Sequence, residues 1–90
     1  MDVKEAVGRA KHYVADVFAD EAISDLGLEE VEFDDDAGTW SVTIGFSRPW
    51  NSTALAKALG SFPGRRDYKV VRIKDATHQV LSVKNREVVG

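Results

Sequence analysis

The stretch Thr39-Trp40-Ser41-Val42-Thr43-Ile44-Gly45-Phe46-Ser47 decides the fold. Trp40, Val42, Ile44 and Phe46 occupy alternate positions, and Thr39, Ser41, Thr43, Gly45 and Ser47 lie between them. Successive side chains of a β-strand point to opposite faces, so the alternation predicts a strand with one buried face. The other face is small and polar, and stays in water or against a partner. Upstream, from Leu28, Val31 and Phe33 alternate with Glu30, Glu32 and Asp34. Asp35-Asp36-Ala37-Gly38 between the two segments reads as a turn, with glycine where the backbone goes left-handed. Together they predict a hairpin.

A strand with one apolar face needs a cover, and residues 1–20 supply one. Val3, Val7, Ala10, Val14 and Val17 recur at alternating spacings of four and three, and Ala6 and Phe18 widen the stripe. That is the period of a helix with one buried side. Lys4, Glu5, Arg9, Lys11, Asp16 and Asp20 fall away from it. Asp2 followed by Glu5 fits a capping box. Gly8 costs up to about 1 kcal/mol against alanine there, and reads as a point of close approach to another backbone.

Downstream of the central strand, Arg48-Pro49-Trp50 ends the ladder, because proline has no N–H to donate. Asn51 or Ser52 caps a short helix over residues 53–59, which Gly60 stops, and Ser61-Phe62-Pro63-Gly64 is a loop. A second hairpin then runs from Tyr68 to Lys74, turns at Asp75-Ala76-Thr77-His78, and returns from Gln79 to about Glu87. Val71, Ile73, Leu81 and Val83 are its expected buried face. Tyr68, Val70, Arg72 and Lys74 take the other face, beside Val80, Ser82, Lys84 and Arg86. The reading is one α+β domain over residues 1–90: an N-terminal helix packed on one face of a four-stranded antiparallel sheet, in the order α-β-β-(short α)-β-β.

Composition agrees with a globular chain. Of 90 residues, 43% are hydrophobic and 30% charged, too apolar for a disordered segment. The absence of cysteine removes disulfide scaffolds, thiolate metal sites and cysteine nucleophiles. No apolar run approaches the roughly 20 residues of a membrane span, and the first residues lack a basic-then-apolar leader pattern, so a cytoplasmic location is expected. The net charge of −3 hides a split. Residues 1–45 carry 12 acids and 3 bases, a net of −9, and residues 46–90 carry 3 acids and 9 bases, a net of +6. The two halves either neutralise each other inside the domain or present two opposite contact surfaces. A negative total argues against a general nucleic-acid binder.

Catalytic patterns are missing. Neither His12 nor His78 has a carboxylate or serine at the spacing of a known catalytic motif. Asp34, Asp36 and Gly38 match the start of a calcium loop, but the twelfth position is Gly45, where a bidentate glutamate is required. Asn51-Ser52-Thr53 fits a glycosylation acceptor by chance, given no secretion pattern. The carboxylates of residues 29–36 have no apolar pocket to raise a pKa and read as a charged strip. No cofactor or metal is expected, and the chain reads as no enzyme.

What remains is surface. With the strands in order, the open sheet face grades from acidic (Glu30, Glu32, Asp34) through Thr39, Ser41, Thr43 and Ser47 to basic (Arg72, Lys74, Lys84, Arg86). It is flat and shallow, and fits a protein partner or a second copy of the chain. The crossing at residues 48–66 offers a second candidate surface: Trp50 with Arg48, Arg65 and Arg66, residue types that dominate interface hot spots. The candidate partner-binding residues are therefore Thr43, Tyr68, Arg72 and Lys84 on the sheet, and Arg48, Trp50, Arg65 and Arg66 in the crossing.

Tyr68-Lys69-Val70-Val71-Arg72-Ile73-Lys74-Asp75-Ala76-Thr77-His78-Gln79-Val80-Leu81-Ser82-Val83 resembles the closing hairpin of PepSY-like domains. There a tyrosine-led strand enters an Asp-rich turn and leaves as a G-x-V-L strand. His78 here stands at the position of the usual turn glycine. The preceding helix-then-hairpin order is similar to the broader cystatin-like arrangement. The resemblance covers about 16 residues closely and the remainder in layout. It implies a non-catalytic module that restrains peptidases, mostly outside the cytoplasm. The expected function is thus a small protein-binding module, an inhibitor or accessory subunit. The alternatives are an immunity-type protein whose acidic first half masks a basic toxin, and a nucleic-acid contact through the basic second half.

Overall fold

A computed structural model describes residues 1–48 and 66–86. Trp50, Arg65 and the expected short helix over residues 53–59 lie outside the described residues. Helix α1 spans Val3–Val17, and a single 3-10 turn, Ala19–Glu21, follows it. The strands are β1 (Ser24–Asp34), β2 (Thr39–Ser47), β3 (Arg66–Lys74) and β4 (Val80–Asn85). They form one antiparallel sheet in the order β1-β2-β3-β4, with α1 against one face. No described helix is long and apolar enough to cross a membrane.

Helix α1 begins where the sequence places it. The Asp2 carboxylate accepts from the Glu5 backbone N–H at 2.8 Å, filling one of the donors that a helix start leaves free. Ala6, Ala10 and Val14, each four residues from the next, are fully buried against Trp40, Val42, Ile44, Phe46, Val71 and Ile73. Val7 and Phe18 are partly buried beside them. The expected stripe is too long at both ends: Val3 is 49% exposed and Val17 48%. A straight helix on a twisted sheet lays only its middle turns on the surface. Gly8 is corrected as well, since a Cβ there would meet nothing within 4 Å. It faces open space and approaches no backbone.

The sheet departs from simple alternation at two places. β1 begins at Ser24, ahead of the alternation that starts at Leu28, and its register with β2 shifts between Ser24 and Gly27 and again between Leu28 and Glu30. These irregularities break the period of two and conceal the first part of the strand. In the second hairpin the register shifts between Arg72, opposite Ser82, and Ile73, opposite Val80. Leu81 is the extra residue. It is 49% exposed, and Val80 takes the expected place of Leu81 against the core, beside Val83. The assignment of Leu81 to the buried face and Val80 to the open face is therefore reversed by a bulge.

Both turns use left-handed residues. Gly38 has φ 61°, as its position implies, and His78 has φ 62° in the β3–β4 connection. Trp40 fixes that connection to the core: its indole Nε1–H donates to Asp75 Oδ1 at 2.9 Å, and its ring lies 4.8 Å from that of Phe33.

Candidate functional site

Cross-strand partners in a sheet point to the same face, so the register lays out the open face row by row. One row runs Asp34, Thr39, Lys74. The next runs Glu32, Ser41, Arg72, Ser82, and a third runs Glu30, Thr43, Val70, Lys84. Each goes from an acid on β1 through a small hydroxyl on β2 to a base on β3 or β4. Thr39 and Thr43 are buried, so β2 is the floor of a trough between the longer side chains of β1 and β3.

Among the described residues, Glu30, Glu32, Asp34, Arg72, Lys74 and Lys84 form no ion pair with one another. The split in charge between the two halves of the chain is not cancelled across this face.

A fourth row ends the trough. Gly27, Gly45 and Tyr68 are register partners on β1, β2 and β3. A Cβ on Gly45 would come within 3.1 Å of Arg66 Nη2, Glu29 Oε1 and Tyr68 Cε1, and one on Gly27 would lie 3.5 Å from the same Arg66 nitrogen. Arg66 thus reaches from β3 over two glycines, and its Nη2 donates to the Asp25 carbonyl at 2.8 Å. Asp25 itself is left-handed, with φ 56°. Arg86 stacks its guanidinium 4.1 Å from the centre of the Tyr68 ring. Glycine inside a strand marks a close approach, and here the approaching group is Arg66.

The structure therefore brings Thr43, Tyr68, Arg72, Lys84 and Arg66 together on one face. It separates Arg48 from them. Arg48 lies on the helix side, 15% exposed, with Nη1 2.7 Å from Glu21 Oε1 and Nε 2.8 Å from Asp67 Oδ2. Its guanidinium sits 5.2 Å from the Phe18 ring centre and 5.4 Å from that of Phe46. It ties the turn after α1 to β3. Arg48 and Arg66 point to opposite faces of the sheet, so these two do not form one patch.

No family model, no curated protein and no solved structure matches this chain.

A shallow cleft of about 290 Å³ lies on the helix side, where His12, Tyr13 and Asp16 of α1 approach His78. Gly8 leaves part of it open. Sequence reading missed this meeting of both histidines, because 66 positions separate them in the chain. The helical spacing of His12 and Asp16 was the only available signal. Among the described residues neither imidazole is held by a hydrogen bond or ion pair, and no group of three or more His, Asp or Glu is placed to hold a metal.

Proposed function

We propose that this chain is a small non-catalytic protein-binding module, an inhibitor or accessory subunit in the cytoplasm, that meets its partner through the open sheet face. The observation that carries this reading is the set of parallel rows from Glu30, Glu32 and Asp34 to Arg72, Lys74 and Lys84 across a floor of small residues. Charges left unpaired on an ordered sheet retain their field for a partner, and complementary charge speeds encounter and fixes register. The PepSY-like character of the closing hairpin supports the same role. Among the described residues no hydrogen bond or ion pair links either histidine to a carboxylate or hydroxyl, the contact that general acid–base or nucleophilic chemistry uses.

A second reading has one specific observation in its favour. Glu29, Glu30, Glu32, Asp34, Asp35 and Asp36 are all exposed on the edge strand and its turn, which suits an immunity-type protein that covers a basic toxin.

The test is recovery of a cross-linked partner from host cells, followed by affinity measurement with the purified pair. Thr43→Arg is expected to abolish binding, and Ala15→Arg, on the exposed side of α1, to leave it intact. Circular dichroism of both variants checks the fold. The opposite pattern overturns the open-face reading. Binding that survives Thr43→Arg but is lost with Glu32→Lys moves the contact to the acidic edge.

A further inference from the structure

We propose that the open face binds a second copy of this chain, in a face-to-face dimer whose two-fold axis runs parallel to the strands. This rests on the open face being the contact surface, and names its occupant.

Two independent features select that axis. The first is charge. A two-fold axis parallel to the strands and midway across the sheet sets β1 of one copy against β4 of the other, and each row against its own counterpart. Glu30 then faces Lys84 of the second copy, and Glu32 faces the Ser82 and Arg72 side. An axis across the strands would set acid on acid and base on base, which complementary interfaces avoid. The second feature is shape. The same axis sets β2 against β3 of the other copy. The floor of Thr39, Ser41 and Thr43 then receives the ridge of Lys74, Arg72 and Val70. The crossed axis would leave small residues over small ones and large over large.

The area is sufficient for a weak dimer. Four strands about 4.8 Å apart and about 30 Å long give a footprint of roughly 570 Å² per copy, or about 1,150 Å² in all. That clears the ~1,000 Å² expected of a specific interface and lies at the low end of the range. A dimer of that area is weak, and it weakens further with salt as the outer charges are screened.

The test is sedimentation equilibrium of the full chain from about 10 µM to about 1 mM at low salt. Wild type is expected to dimerise across this range. Glu30→Lys with Glu32→Lys makes the charges of the Glu30 and Glu32 rows wholly basic, and Arg72→Glu with Lys84→Glu makes those of the same two rows wholly acidic. Each double variant is expected to be monomeric alone, because both contacts in its own dimer become repulsive. An equimolar mixture is expected to form a mixed dimer, because both contacts are then complementary. Rescue on mixing cannot come from a misfolded variant, and the spectra of the separate variants check that each is folded.

A monomeric wild type at about 1 mM overturns the proposal. So does a dimer indifferent to either charge reversal, or a mixture that fails to associate. If wild type is monomeric while a host partner is still lost with Thr43→Arg, the dimer falls and the open-face reading stands. If that partner ignores Thr43→Arg, the open-face reading itself falls.

Discussion

Glu30 on β1 and Lys84 on β4 stand at the two ends of one cross-strand row, with Thr43 and Val70 between them. Three strand spacings separate their backbones by about 14 Å. That exceeds the ~8 Å over which exposed charges act at physiological salt. The sheet therefore presents a negative edge and a positive edge instead of a row of internal salt bridges. Every proposal about this face depends on that separation.

The core is expected to respond to Ile44 and to ignore Leu81. Ile44 is fully buried in the middle of β2, so Ile44→Ala should cost about 2–5 kcal/mol in a denaturant titration. Leu81 is the exposed residue of the β4 bulge, and Leu81→Ala should cost less than about 0.5 kcal/mol. Equal losses at the two positions would contradict the bulge.

How much of this was legible in the sequence depends on where the local period survived. On β2 it survives, so Trp40, Val42, Ile44 and Phe46 could be assigned to the core one by one. Gly38 and Asp2 were equally readable, because a left-handed turn and a helix cap are local demands. Leu81 was not, since a register shift is decided by the partner strand and leaves no mark on β4 itself. For the same reason Ser24 could not be recognised as the start of β1. Val3 and Val17 have the right helical azimuth but lie beyond the turns that touch the sheet. At the candidate site the charge gradient could be read once strand order was assumed. The separation of Arg48 from Arg66 could not, because it depends on which face each residue takes at a strand end.

Two glycines should respond to alanine with opposite signs. Gly8 sits in α1 with open space around it, so Gly8→Ala should stabilise the protein by about 0.5–1 kcal/mol. At Gly45 the new methyl would crowd Arg66, Glu29 and Tyr68 and displace the Arg66 guanidinium from the Asp25 carbonyl. A loss of about 1 kcal/mol is expected for that hydrogen bond. Thermal melts of the two variants against wild type check both signs.

Arg48 should matter for stability and not for binding. Arg48→Met removes contacts to two carboxylates and two aromatic rings, and about 1–3 kcal/mol should be lost. Arg48→Lys should restore less than half of it, because a single ammonium cannot reproduce the guanidinium fork. Affinity for a partner held by the open face should be unchanged in either variant, as read by calorimetry. A loss of affinity with the fold intact would return Arg48 to the contact surface.

Asp75 should give stability a dependence on acid pH. The Trp40 indole N–H holds its carboxyl below the ordinary value of 3.8, against the opposing effect of burial, and the Met1 amino group and His78 add to the lowering. A carboxyl whose pKa falls on folding stabilises the native state above its unfolded pKa, and that contribution disappears as pH drops through the lowered value. Asp75→Asn should therefore melt below wild type at pH 7. The gap should narrow as pH falls below about 3.8. A gap that stays constant down to strong acid would mean that the carboxylate charge plays no part.

The most direct measurement is an amide chemical-shift map of the isotope-labelled protein bound to its verified partner, whether a host protein or a second copy. The expected result is a set of perturbations confined to the open-face rows, strongest at Ser41, Thr43, Val70 and Arg72, with the amides of Gly8, His12 and Ala15 on α1 unmoved. Perturbations concentrated on α1 or at the His12–His78 cleft, with the β2 and β3 rows silent, would contradict the open face as the binding surface.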